Sequence, residues 1–338
     1  MKAIAIRFFR ITGIHRGGRL VRLFSGASIV GQSTVIARSM LPPALAIALF
    51  LLAWSFTAKQ IDTSLGQVPG PAMVLDQARV LWQEHIMERE KAAAFYERQA
   101  ELNTAKLGRD PNATITSISY TGKPTYIDQI VTSLKTVFMG FVIASFVALP
   151  VGIICGLSKT VMRALNPLIQ VFKPVSPLAW LPLVTMIVSA LYVTNNAWLP
   201  KSFLISAITV SLCSMWATLI NTALGVASVN TDYINVAKVL QLSPMKKTFK
   251  VLLPATLPLI FTGLRISLGV GWMVLIASEM LAQNPGLGKF IWDEFQNGSS
   301  QSLAKIMVAV FTIGLVGFVL DRIMVELQKL VSFERSHA

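Results

Sequence analysis

Hydrophobic positions in this chain come in long runs with few charges, with polar positions gathered between them. Leu41–Ala58 is the first such run, free of charge and anchored by Trp54. Residues 130–157, 165–192 and 202–226 follow at comparable length. About twenty apolar residues cross a bilayer as a helix, so each run predicts a span. Two later runs, 259–281 and 306–320, have shorter uncharged cores, and the first is bracketed by Arg265 and Glu279. Their ends must be paired or wet. The pattern predicts six transmembrane helices and an all-α polytopic membrane protein.

Several spans carry marks of their own. Residues 165–192 hold Pro167, Pro174, Pro177 and Pro182. These predict a broken helix, tolerated at membrane depth only against protein or a water-filled cavity. Gly152 and Gly156 form a GxxxG, which either admits a second helix at close range or is ordinary membrane-helix content. Ser206, Thr209, Ser211, Ser214, Thr218, Asn221 and Thr222 recur along 202–226. They line a polar path or act as glue between helices. From this set Ser214, Thr218 and Asn221 join Trp180, Trp216 and Trp272 as candidates for a translocation path. Packing or interface anchoring is the competing reading of the tryptophans. Lys135 and Glu279 fall at similar depth below the outer surface. They form an outer-gate ion pair, or each reaches headgroup water alone.

Charge between the runs sets the orientation. Residues 1–40 hold Lys2, Arg7, Arg10, Arg16, Arg19, Arg22 and Arg38 and no acid. This reads as a basic segment on an anionic cytoplasmic leaflet, with an Arg-rich transit peptide as the competitor. Residues 59–127 balance eight basic against eight acidic residues and fall outside. Pro69-Gly70-Pro71 opens a run over 72–107 rich in Ala, Glu, Gln and Arg, which predicts an extracytoplasmic helical hairpin. A permease-like core over 128–330 and a tail over 331–338 follow, so both termini lie inside. The net charge of +14 thus reflects the positive-inside rule rather than nucleic acid.

Some chemistry is excluded. Cys155 and Cys213 lie within apolar runs, which argues against a disulfide framework or a zinc site. His15, His85 and His337 all fall outside the spans, and Gly288-Lys289 is followed by Phe290, so no P-loop forms. No nucleophile stands beside a base at membrane depth. The chain is no enzyme by itself, and no cofactor or metal is expected in it.

One inner stretch, 228–258, is too polar to cross and too apolar on one side to be a plain loop. Asp232 caps a short helix carrying Ile234, Ala237 and Leu240 at spacings of three. Ser243-Pro244 restarts the helix, with Ser at the cap and Pro at the first helical position. Pro254 and Pro258 break the run that follows. Such an element needs a partner protein or the membrane surface to cover its apolar face.

This stretch resembles the cytoplasmic "EAA" loop of inner-membrane permease subunits of binding-protein-dependent ABC importers. Asn235-Val236-Ala237 stands at the family's Glu-Ala-Ala, Gln241 at its Gly, and Val251-Leu252-Leu253-Pro254 at its Ile-x-Leu-Pro. The wording NVAKVLQLS, LLPATLPLIFTGLRISLGVGWMVLIASEML, GLGKFIWDEF and FKPVSPLAWLPL is similar to the nitrate, cyanate and bicarbonate branch. Taurine and sulfonate permeases come next.

The resemblance implies a type I ABC importer permease fold in a bacterial inner membrane. It implies two copies of the permease on two ATP-binding cassette subunits, which bind ATP and magnesium, and an extracytoplasmic binding protein. The coupling segment would hold Asp232, Tyr233, Asn235, Val236, Ala237 and Lys238. Leu240, Gln241, Leu242, Ser243, Pro244 and Met245 would complete it. The substrate would be a small inorganic anion, nitrate or nitrite first, then cyanate, bicarbonate or a sulfonate. A secondary anion transporter or channel leaves the inner stretch without a role, and a membrane anchor leaves the broken third span unexplained.

Overall fold

The computed structural model describes residues 29–63, 66–110, 114–115, 117–192 and 199–331. Most of the basic N-terminal segment, the outer turn at 193–198 and the tail from residue 332 lie outside the described residues.

Helix α1, Ile29–Ala58, contains the first predicted span. A ribbon of β1 (Asp62–Thr63) and antiparallel β2 (Gly66–Gln67) turns the chain. Pro71 then sits in the first turn of α2, Pro71–Arg109. This is one continuous helix, about 58 Å long at 1.5 Å per residue, rather than the expected hairpin. The cause is legible: residues 72–107 contain no Gly or Pro to break the helix.

Helix α3, Tyr126–Leu157, opens on a reciprocal cap. Thr125 Oγ1 accepts from the Asp128 N–H, and the Thr125 N–H donates to Asp128 Oδ2 at 3.0 Å. Helices α4, Lys159–Phe172, and α5, Pro177–Leu191, meet at an angle of 101°. They form the broken third span. Lys159 and Arg163 belong to the first turns of α4. Helix α6, Lys201–Ala227, follows. The inner stretch holds α7, Thr231–Val239, and α8, Pro244–Lys247.

A π turn, Thr248–Leu252, then leads without interruption into α9, Leu253–Ala282. Pro254 and Pro258 do not break this helix. The Leu253 N–H reaches back to Thr248 O, and this widened turn makes room for the Pro254 ring. Helix α10, Leu287–Asn297, and helix α11, Ser300–Val331, complete the described chain. Five described helices are long and apolar enough to cross a membrane, and the bent pair makes six.

The centre of the bundle is α6, packed between α3 and α9. A methyl group on Gly152 would stand 2.8 Å from Leu219 O, and one on Gly156 2.7 Å from Ala223 O. The GxxxG therefore works by close approach. Most hydroxyls of α6 face these contacts. Ser206, Thr209, Thr218 and Thr222 are fully buried, and Ser267 Oγ of α9 donates to Ser214 O at 2.7 Å. Packing is what this face does.

The short uncharged cores of the last two spans are resolved by a pair. Arg265 of α9 donates from Nη2 to Asp321 Oδ2 of α11 at 3.0 Å, with Nε on Oδ1. Helix α1 lies on the outside and exposes Leu45, Phe50 and Leu52, touching the bundle where Trp54 meets Phe311 at 5.2 Å. Helix α10 packs at the α2 end, where the Phe290 and Tyr126 rings are 4.9 Å apart. The inner stretch lies at the other end of the spans.

Candidate functional site

The inner stretch is a helix, a tight stop and a restart. Asn230, not Asp232, caps α7: its Oδ1 accepts from the Asp232 N–H at 3.0 Å. Asp232 instead sits in the first turn, where its charge favours the helix dipole. The stop is a Schellman cap. Leu242 N–H donates to Ala237 O at 3.1 Å and Gln241 N–H to Lys238 O at 2.9 Å. Gln241 takes φ 50°, the left-handed region. This is the position of the family glycine, and the geometry explains that glycine. Ser243 then caps α8, with Pro244 in the first turn.

A left-handed residue with a Cβ costs about 1–2 kcal/mol. Gln241→Gly should therefore raise thermal stability or leave it unchanged, without loss of transport. A melting curve on the purified chain checks this, and a lower Tm overturns it.

Two faces of α7 differ. Ile234 and Ala237 point into the chain, with Ala237 only 1% exposed, so Ala237 is closed to a partner. Tyr233, Val236, Val239 and Leu240 form an outward apolar stripe, with Val239 81% exposed. Met245 and Phe249 extend it. The apolar triplet Ile234, Ala237 and Leu240 of the sequence pattern thus splits, because Leu240 belongs to the outward side. Val239 and Phe249 were missed by the sequence reading, although the spacing of 233, 236 and 240 is a helical stripe. Asp232, Asn235, Lys238, Ser243 and Pro244 are exposed beside it, and Leu242 is half-buried under its cap.

At the other end, Glu279 is 0% exposed. Its carboxyl oxygens lie 2.8 and 2.9 Å from Ser133 Oγ of α3, and Oε2 accepts from the Gly288 N–H at 3.1 Å. Ser133 Oγ in turn accepts from the Leu287 N–H at 2.9 Å. Asn284 reaches Thr136 Oγ1 of α3 and accepts from Ser202 of α6, both at 3.3 Å. The segment 284–288 is thereby fastened to three helices. Lys135 takes no part. It is exposed on another face of α3, lining a crevice with Val131, Phe138 and Leu327. The ion pair expected between Lys135 and Glu279 is absent, since a hydroxyl and a backbone N–H already satisfy the carboxyl group.

The path candidates separate in the same way. Ser214, Trp216 and Asn221 line one cleft of about 320 Å³, together with Lys173, Cys213 and Ile266. Trp180 is joined to this wall through Phe172, whose ring stands 5.8 Å from Trp180 and 6.4 Å from Trp216. Thr218 is buried behind it against Gly263. Trp272 lies elsewhere, donating to Ile313 O at 2.9 Å between α9 and α11. No cluster of metal-ligating side chains occurs among the described residues.

Comparison with known proteins agrees with this arrangement. The family described as binding-protein-dependent transport system inner membrane component matches residues 148–332. A nitrate import permease protein, NrtB of Synechocystis sp., is 34% identical over 299 residues, covering 88% of this chain and 92% of that protein. NrtB of Synechococcus elongatus is 39% identical over 204 residues, 60% of this chain and 69% of that protein. A bicarbonate transport system permease protein, CmpB of Synechocystis sp., is 41% identical over 205 residues, 60% and 68% of the two. Among solved structures, the MetNI methionine ABC transporter superposes with a TM-score of 0.52 at 14% identity, over 61% of this chain and 95% of that one. That likeness shows the type I importer permease fold. Fold, spans and family match all point one way: the chain belongs to the binding-protein-dependent transport system inner membrane components, as a multi-pass subunit of the nitrate and bicarbonate permease branch.

Proposed function

We propose that this chain is the transmembrane permease of an ATP-driven importer for a small inorganic anion, with nitrate first and bicarbonate second. The observation that carries the reading is the outward apolar stripe of α7, uncovered by the rest of the described chain. It suits the groove of a partner ATPase that binds ATP and magnesium. Two permeases, two ATPases and an outer binding protein form the assembly. The mechanism is alternating access. ATP closes the ATPases, the stripes move with them, and the cleft beside Ser214, Trp216 and Asn221 changes the side to which it opens.

Similarity along most of the chain to NrtB favours nitrate. Comparable identity to CmpB keeps bicarbonate as the competing substrate. Uptake into proteoliposomes holding permease, ATPase and binding protein tests the reading. Labelled nitrate should accumulate only with ATP, and excess bicarbonate should compete less than unlabelled nitrate. The opposite order reassigns the substrate, and uptake independent of ATP overturns the mechanism.

Orientation is a separate expectation. Charge balance in 59–127 and the lysines of the inner stretch place α2 outside and α8 inside, with both termini cytoplasmic. Single cysteines at Arg98 and Lys246 should react with an impermeant thiol reagent from opposite sides. Reaction from one side sinks this topology.

A further inference from the structure

Lys173 sits at the break between α4 and α5, just before Pro174. In the fold its side chain is exposed and borders a cleft. It lines the cleft with Ser214, the middle residue of α6, and with Ile266 and Val270 of α9. An exposed lysine level with the middle of a span meets either lipid, where a charge is costly, or a water-filled cleft. Among the described residues it makes no ion pair. No Asp or Glu lines the cleft among the described residues.

Its position is set by the neighbouring ring. Phe172 lies parallel to Trp216, with 7° between planes, and tilts against Trp180 on its other side. This stack fastens the broken span to α6 and holds Lys173 over the cleft. Donors without acceptors gather here. Trp216 Nε1 and Trp180 Nε1 are buried and unpartnered, and so is Ser214 Oγ. Asn221 uses one amide hydrogen on Ala217 O at 2.8 Å and keeps the other. Buried donors left unpaired cost free energy, and a bound acceptor relieves that cost.

We infer that Lys173 and Trp216 form a binding station for a small monovalent oxyanion at mid-membrane depth. The ammonium supplies the opposing charge. The indole N–H and the Asn221 amide point the oxyanion's acceptors, and the absence of carboxylates from the wall favours anions over cations. This inference rests on the anion-import reading and names where that import holds its substrate.

Cys213 lines the same cleft and reports on it. The test uses membranes holding the full transporter in a Cys155→Ser background, with nitrate and bicarbonate as separate probes. Either anion should slow maleimide modification of Cys213 severalfold. Lys173→Arg should keep most of that protection. Lys173→Gln should abolish it while the rate without anion stays the same, and Trp216→Phe should weaken it. Equal protection in Lys173→Gln, or no protection in the unaltered protein, overturns the station.

ATP-driven uptake in the same membranes separates the two readings. Protection without uptake overturns the transport reading and supports the station. Uptake with an unchanged KM in Lys173→Gln overturns the station and leaves transport standing. A KM raised about tenfold in Lys173→Gln supports both.

Discussion

Val236→Asp should abolish ATP-driven transport while the permease still inserts at normal level. Val236 is 57% exposed in the middle of the α7 stripe and touches little of its own chain. A charge there is harmless in water and harmful in a dry interface. An unpaired carboxylate buried against a partner costs several kcal/mol, about 3 or more. That is at least a hundredfold in affinity, since every 1.4 kcal/mol is about tenfold. Co-purification of the ATPase should fail together with uptake. Leu242→Asp is the weaker test, because half-buried Leu242 belongs to the helix stop and its charge would disturb α7 itself. Normal uptake by Val236→Asp would mean that the stripe rests on lipid instead.

Glu279→Leu and Gly288→Ala should each reduce the amount of folded, detergent-stable protein severely. Leucine leaves the Ser133 hydroxyl and the Gly288 N–H without acceptors in a dry place. Each orphaned group costs about 1–3 kcal/mol, so the pair costs about 2–6. At Gly288 a methyl group would stand 2.2 Å from Ile276 O, a backbone atom that no rotamer change can move. Glu279→Gln, which keeps an acceptor, should fall between wild type and leucine. Size-exclusion profiles after a heating series measure all three. If Glu279→Leu melts with the unaltered protein, the carboxyl group does not hold the outer segment.

The spans were legible because hydropathy is a local property, and lipid rewards it wherever the run occurs. The coupling stretch was legible for a related reason: caps and stops are written in adjacent residues. Even there the sequence misjudged details set by geometry. Asn230 caps where Asp232 was expected, and a π turn absorbs the prolines expected to break the helix.

Long-range pairings were not readable. Glu279 finds Ser133 and a backbone N–H, partners that carry no charge and leave no mark in the sequence. Arg265 meets Asp321 only because α9 and α11 cross there. Lys173 looks like any basic residue beside a proline until the broken span folds it over α6. A hydroxyl-rich helix reads alike whether its polar face meets water or glycine, so the packing role of Thr218 and Thr222 needed the neighbours in place.

Pro244 to Ala282 forms one uninterrupted helical rod. Its inner tip carries Met245, next to the stripe, and its outer tip carries Glu279. The soft point is the π turn, close to the inner tip. About 9 Å of rod lies before the middle of that turn and about 43 Å lies between it and Glu279. Bending at this point absorbs displacement of the short inner arm, so the long arm and the hydrogen bonds of Glu279 stay in place unless the rod moves as a whole.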